Sequence, residues 1–363
     1  MVNLKKLIIF LFILLIPFKI NALETSAISA ILMDLDNNRI LYADNIHNVR
    51  SVASISKIMT AILAVESGKL DNTVTIGEEI KEAYGSGIYI QVGEKMILRD
   101  LVYGLMLRSG NDAAVAIAKY VGGDVNKFVE MMNEKAKEIG MKNTTFNNPS
   151  GLDQEKGNYS TAYDMAILTS YAMKNEEYRN IVSTKTHKVK TDMNFYSWIN
   201  KNKLLHTYKY ITGGKTGFTE IARRTLVTTS SKDGVNLVAV TLNDGNDFAD
   251  HKAMHEYGFN NYTNYKILSK GYIDIIGENY YFDSKFYIKN DFNYILTETE
   301  KNTIKLKFVL EKDTNKQDGE KIGEVFVYVM DKQVYKEDIY IERKEIEKKS
   351  FFQKILDWFR NDK

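Results

Sequence analysis

The sequence predicts an α+β protein with a large domain of helices around one sheet, followed by a small all-β domain. Three observations predict it. Residues 23 to about 265 alternate helical and strand periodicities, with strand patterns at both ends and helices between, so one sheet must be assembled from distant segments. From about residue 266 the helical periodicity fades and β-rich runs take over. A length of 363 residues suits two or three domains and a sizeable core.

The elements follow in order. Lys5 and Lys6 precede an apolar run over 7–18, and Ala22 offers a small residue at a cleavage point. The run is short against the ~30 Å of a membrane's hydrocarbon, so residues 1–22 are expected to be a secretory leader rather than an anchor. Strand patterns over 27–33 and 39–43 flank the turn residues Asp36-Asn37-Asn38. Ile58, Ile62 and Val65 give residues 54–67 a helical face that ends at Gly68. Further helices are expected over 98–107 and 111–121, the latter ended by Gly122-Gly123. Asp124 caps a fourth over 125–139, stopped by Gly140. Thr161 with Asp164 has the spacing of a capping box and starts a fifth. Runs at 225–230 and 235–242 form a hairpin around Lys232-Asp233-Gly234.

The β-rich part holds runs at 280–288, 303–310, 323–330 and 334–341, and residues 303–308 alternate strictly, as a half-buried strand should. At the end, Phe351, Phe352, Ile355, Leu356 and Phe359 share one helical face, with Lys348, Lys349, Lys354 and Arg360 on or beside the other. Such a helix suits a membrane interface; the alternatives are docking on the β domain or packing in an oligomer. The expected domains are therefore 1–22, 23–265, 266–345 and 346–363.

Composition narrows the function. With 49 basic and 47 acidic residues the net charge is +2, which argues against both a strongly basic nucleic-acid binder and a polyacidic protein. The absence of cysteine excludes disulfide scaffolds, thiolate zinc sites and cysteine catalysis. His251 and His255 stand one helical turn apart, but the glutamate of His-Glu-x-x-His is missing and no third ligand is evident. Two histidines on an ordinary helix, rather than a metal pair, are the expectation.

Three short motifs carry chemistry. In Ser54-Ile55-Ser56-Lys57 the serine sits where a helix begins and the lysine lies one turn on, on the same face. A serine hydroxyl needs a base to attack a carbonyl, and a lysine can be that base only if burial or a neighbouring cation lowers its pKa. Ser109-Gly110-Asn111 offers a hydroxyl and a carboxamide around a tight turn. Lys215-Thr216-Gly217 follows Gly213-Gly214, yet the phosphate-loop pattern fails because Lys209 occupies the position of its first glycine. A cation, a hydroxyl and a bare backbone on a strand instead suit an extended ligand that ends in a carboxylate.

Each motif alone is weak; in this order they are specific. Here the chain resembles the serine-type D-alanyl-D-alanine carboxypeptidases, the low-molecular-mass penicillin-binding proteins. The resemblance extends through Arg50-Ser51-Val52-Ala53, Gly85-Ser86-Gly87, Asn148-Pro149-Ser150-Gly151-Leu152-Asp153, Ser160-Thr161-Ala162-Tyr163-Asp164, Asn200-Lys201-Asn202-Lys203-Leu204-Leu205 and Phe218-Thr219. It covers nearly all of 25–260. Two departures stand out: Arg223-Arg224 where the family often has Gly-Tyr or similar, and Phe218 where some members have His.

The resemblance implies a penicillin-binding-protein/β-lactamase-like catalytic domain, an antiparallel sheet flanked by helices, with a β domain and an amphipathic tail behind it. It implies Ser54 as nucleophile, Lys57 as its neutral base, Ser109 as proton relay and Asn111 as a holder of substrate and of Lys57. Lys215 and Thr216 would bind the terminal carboxylate, Gly217 would let the substrate approach, and the N–H groups of Ser54 and Phe218 would form the oxyanion hole. The resemblance implies no metal and no organic cofactor. The implied partners are a peptidoglycan stem peptide, β-lactams as covalent inhibitors and the outer face of the cytoplasmic membrane. No glutamate matches the deacylating base of class A β-lactamases, so slow release of a penicilloyl group is expected. The alternatives are a β-lactamase or D,D-endopeptidase of the same fold, and a catalytically silent wall-binding protein.

Overall fold

The computed structural model describes residues 23–153, 157–275, 281, 284–312 and 316–343. The expected leader at 1–22 and tail helix at 346–363 lie outside them, as does the start of the strand run expected from residue 280. The chain divides into two compact units between Asn260 and Asn261. The division falls before the expected 265, because the strand Thr263–Leu268 pairs with Phe292–Leu296 of the second unit.

The first unit is built on one sheet. Its strands are β1 (Ser29–Asp34), β2 (Ile40–Asp44), β3 (Ile211–Thr219), β4 (Arg223–Lys232) and β5 (Val235–Leu242), in the order β2-β1-β5-β4-β3. Every neighbouring pair is antiparallel. The β4–β5 turn works because Asp233 (φ 50°) and Gly234 (φ 78°) both take left-handed backbone, the geometry that closes a two-residue hairpin. Strand β1 is buried along its whole length because both faces of the sheet are covered. Ile31 and Met33 join the core of the helical domain, while Leu32 meets Gly258 on the opposite side.

Helices α1 (Lys57–Glu66), α2 (Leu98–Arg108), α3 (Asn111–Gly122), α4 (Val125–Glu138) and α5 (Ala162–Ala172) carry most of that core. Asp124 caps α4 by accepting from the Asn126 N–H at 2.8 Å, and Thr161 caps α5 through the Asp164 N–H at 3.0 Å. Helix α1 starts later than the periodicity predicts, since Ala53–Ser56 form a separate 3₁₀ turn ahead of it. Short helices α6 (Glu176–Val182) and α7 (Lys203–Thr207) and the hairpin of Thr186–Lys190 with Phe195–Ile199 were not foreseen. Helix α8 (Asp247–Asn261) covers the other sheet face with His251, Met254, His255 and Gly258.

The second unit has its own core, centred on Phe286, Ile288, Ile322, Val325, Val327, Ile339 and Ile341. Its five-stranded antiparallel sheet runs Gly271–Ile273, Ser284–Ile288, Lys332–Arg343, Lys321–Val329, Lys305–Leu310 in spatial order. Among the described residues no helix is long and apolar enough to cross a membrane.

Candidate active site

Ser54 lies in the 3₁₀ turn that feeds α1. The residue before it, Ala53, has φ 48°, a left-handed conformation that costs a non-glycine residue and is typical of functional sites. That turn is wedged by Gly151, where a Cβ would lie 2.1 Å from the Ala53 carbonyl oxygen. Lys57, the first residue of α1, is completely buried. Its Nζ is 3.0 Å from Ser54 Oγ and 2.7 Å from Asn111 Oδ1, and it also bonds the Ser150 carbonyl. Burial, then the charges of Lys215 and Lys201, hold the Lys57 amine well below its ordinary pKa, against a smaller opposing pull from Asp112.

The second cluster sits across from it. Ser109 caps α2 in left-handed backbone (φ 65°), which turns its hydroxyl toward β3. Lys215 Nζ donates to Ser109 Oγ at 3.1 Å and to the Thr216 carbonyl at 2.6 Å. Burial, helped by Lys201, lowers the Lys215 pKa to about 7. Asn111 opens α3, and its Nδ2 donates to the Tyr84 carbonyl at 2.6 Å. Asp112 beside it accepts from the N–H groups of Ile88 and Tyr89, at 3.0 and 2.7 Å, and so fastens the 84–89 loop over the site.

Edge strand β3 passes close to the serine turn only because Gly217 has no side chain. A Cβ there would stand 2.4 Å from Thr225 Oγ1 and 3.1 Å from the Ser54 nitrogen. Phe218, the next residue, is exposed at the mouth. A cleft of about 370 Å³ opens between the clusters, lined by Ser54, Ser109, Lys201, Thr216, Phe218 and Arg224 among others.

All eight residues singled out in the sequence therefore converge. Ser54, Lys57 and Asn111 form one hydrogen-bonded group, Ser109 and Lys215 another, and Thr216, Gly217 and Phe218 form the wall between. Sequence reasoning missed the Ser150 carbonyl, although the segment around it was flagged. It also missed Lys201, whose Nζ is 3.5 Å from Ser86 Oγ at the cleft. The carboxylate of Asp153 takes the hydroxyls of Ser51 and Thr219, tying β3 to the segment that leads into Ser54. Asp164 belongs to the start of α5, where it also accepts from the Asn143 N–H at 2.7 Å.

His251 and His255 face the sheet, not a metal site. Thr228 Oγ1 lies 2.6 Å from His251 Nδ1 and 2.7 Å from His255 Nε2. Thr241 takes the remaining His251 nitrogen at 3.0 Å and Ser230 the remaining His255 nitrogen at 2.7 Å. All four ring nitrogens are thus engaged by hydroxyls of β4 and β5.

A serine bonded to a buried amine whose pKa is held well down, and facing an edge strand that carries a second buried lysine, is the arrangement of serine acyl-transfer enzymes. Comparison with known proteins agrees. The profile of the S11 peptidase family, D-alanyl-D-alanine carboxypeptidase, matches residues 17–246. D-alanyl-D-alanine carboxypeptidase DacD of Escherichia coli is 31% identical over 371 residues, covering 95% of this chain and 93% of that protein. DacF of Bacillus subtilis is 36% identical over 226 residues, which span 61% of this chain and 58% of the relative. The crystal structure of penicillin-binding protein 5 from Haemophilus influenzae superposes with a TM-score of 0.74 at 28% identity, over 88% of this chain and 98% of the other. The chain belongs to the S11 family of serine-type D-alanyl-D-alanine carboxypeptidases, the low-molecular-mass penicillin-binding proteins.

Proposed function

We propose that Ser54 attacks the carbonyl of the penultimate D-alanine in a peptidoglycan stem pentapeptide, with Lys57 as its base. A neutral amine has two N–H groups and one lone pair. The acceptors around Nζ match that inventory: Asn111 Oδ1 and the Ser150 carbonyl take the two hydrogens, and the lone pair is left for the Ser54 hydroxyl. The proton moves from Oγ to Nζ as the acyl bond forms. Ser109, beside Lys215, is placed to pass a proton to the departing D-alanine amine. Lys215 and Thr216 hold the terminal carboxylate. The N–H groups of Ser54 and Phe218 serve the oxyanion, a contribution of about 3–4 kcal/mol per donor in measured cases. Water then releases a stem one D-alanine shorter and so limits cross-linking.

The single observation that carries this reading is Lys57: wholly buried, its pKa held well below the ordinary value by that burial, and 3.0 Å from Ser54 Oγ. β-Lactams, which mimic the acyl-D-Ala-D-Ala end, acylate Ser54 in this reading. The enzyme works outside the cytoplasmic membrane, with the basic, aromatic segment at 346–363 resting on the membrane surface.

The test is mass spectrometry and gel fluorescence after incubation with a fluorescent penicillin. One adduct is expected on the peptide carrying Ser54, and Ser54→Ala should carry none. An adduct elsewhere, or equal labelling of the variant, overturns the reading. Release of D-alanine from a pentapeptide, with a cross-linked dimer left intact, separates carboxypeptidase from endopeptidase.

A further inference from the structure

The departure at Arg223-Arg224 leaves one cation unexplained. Arg223 opens β4 in left-handed backbone (φ 59°), opposite Thr219, and its side chain pairs at 3.2 Å with exposed Glu220. Arg224 behaves differently. It stands opposite Phe218 in the β4–β3 register, and Leu226 stands opposite Thr216. Side chains two apart on a strand share a face, so Arg224 lies on the face that carries Thr216 and Phe218, and it lines the same cleft as Ser54.

Its guanidinium is aimed by its surroundings. Nη2 is 2.6 Å from Asp247 Oδ1, a side chain only 6% exposed, which also accepts from the Phe248 N–H at 2.7 Å. The Phe248 ring lies 5.7 Å beneath the guanidinium carbon. Asp247 is one acceptor for a group with five N–H donors, and the Arg224 side chain is still 46% exposed. Arg224 thus reaches the cleft, which it lines together with Asp247 and Phe248, with part of its side chain open to solvent. Lys215, in contrast, is committed to Ser109 and the Thr216 carbonyl, and its charge is only half present near neutral pH. A guanidinium keeps its charge throughout and matches a carboxylate with two parallel hydrogen bonds.

We propose that Arg224, fixed by Asp247 and Phe248, is a specificity-determining residue that grips the substrate's C-terminal carboxylate together with Thr216. This rests on the assignment of Ser54 and the carboxypeptidase cleft made above. It explains how one edge of the cleft stays cationic when Lys215 is discharged, and it ties preference for a free C-terminus to a residue outside the three motifs.

The test compares an acyl-D-Ala-D-Ala peptide with its C-terminal amide, each measured by hydrolysis and by competition with penicillin labelling, in wild type, Arg224→Gln and Arg224→Lys. Wild type should favour the free acid. Arg224→Gln should lose about tenfold in kcat/KM on the acid, mostly through KM, and little on the amide; Arg224→Lys should restore part of the preference. Equal losses on both peptides would mean that Arg224 only clamps β4 to α8, and that overturns the proposal, as does an unchanged acid-to-amide ratio. The two readings fail separately. If wild type is not acylated at Ser54 the active-site assignment falls; if it is acylated and the ratio stays put, only Arg224 does.

Discussion

Two buried lysines share the site, and their partners separate their roles. Lys57 has Asn111 Oδ1, the Ser150 carbonyl and Ser54 Oγ around it, and feels the charge of Lys215. Lys215 faces a hydroxyl and a carbonyl, and its pKa is lowered to about 7 by burial first and Lys201 second. The sign of the pH dependence follows. Below about 7 Lys215 is charged and, in the role proposed for it, attracts the substrate's carboxylate; above it the free enzyme loses that charge. The profile of kcat/KM, which reports the free enzyme, should therefore turn down above about pH 7 and level off rather than fall about tenfold per unit, since the guanidinium of Arg224 keeps its charge there. Replacing Lys201 with Met removes a repulsive charge, raises the Lys215 pKa and should move the alkaline limb upward. A limb that stays in place in Lys201→Met refutes the coupling. The Ser54, Lys57, Ser109, Asn111 and Lys215 positions were legible in the sequence because three short motifs occur in a specific order and the segments around them resemble one family. The Ser150 carbonyl was not, because a backbone oxygen leaves no trace in residue identity, and Gly151 beside it signals only that the chain passes closely.

Among elements, α8 and the sheet are joined by a polar seam rather than an apolar one. His251 and His255 are fully buried between Thr228, Ser230 and Thr241. Burial holds the His255 pKa down to about 3 and His251 well below its ordinary value, the latter also through His255. Unfolded, both titrate near 6.5. The unfolded chain thus binds more protons as the pH falls below 6.5, so the seam's stability is complete above that pH and lost on acidification toward 3. The loss is about 1.4 kcal/mol per histidine for each pH unit in that window. Urea midpoints measured at pH 7 and pH 5 should fall more steeply for wild type than for His255→Gln; parallel slopes contradict this account. The histidines were read correctly as helix residues, yet their hydroxyl partners lie on strands 10 to 27 residues away in sequence, which periodicity does not report. The same limit hid the hairpin of Thr186–Lys190 with Phe195–Ile199, a strand pair exposed on alternate residues. Long helices with apolar faces and caps, such as α4 and α5, were legible since their signals are local.

At the scale of the whole molecule, chemistry and architecture are divided along the chain. Every residue assigned to the cleft, from Ser54 to Phe248, belongs to the unit before Asn261, whose core is filled by its own helices and sheet. Strand pairing respects the same division: the five strands of the first sheet pair only among themselves, and Thr263–Leu268 pairs with Phe292–Leu296. A core and a closed set of backbone partners are what a segment needs to fold alone. The chain ended after Tyr262 should therefore fold cooperatively, label with penicillin and cleave a short soluble pentapeptide with kcat/KM within about threefold of the full chain. If the cut protein melts cooperatively but no longer labels, the β domain takes part in the chemistry and the division of labour is wrong. On the proposal that the segment at 346–363 rests on the membrane, the two forms should part in cleavage of peptidoglycan presented at a membrane surface, since the β domain and that segment are removed together. A loss there with soluble activity intact places the second unit's contribution in delivery of the cleft to its substrate.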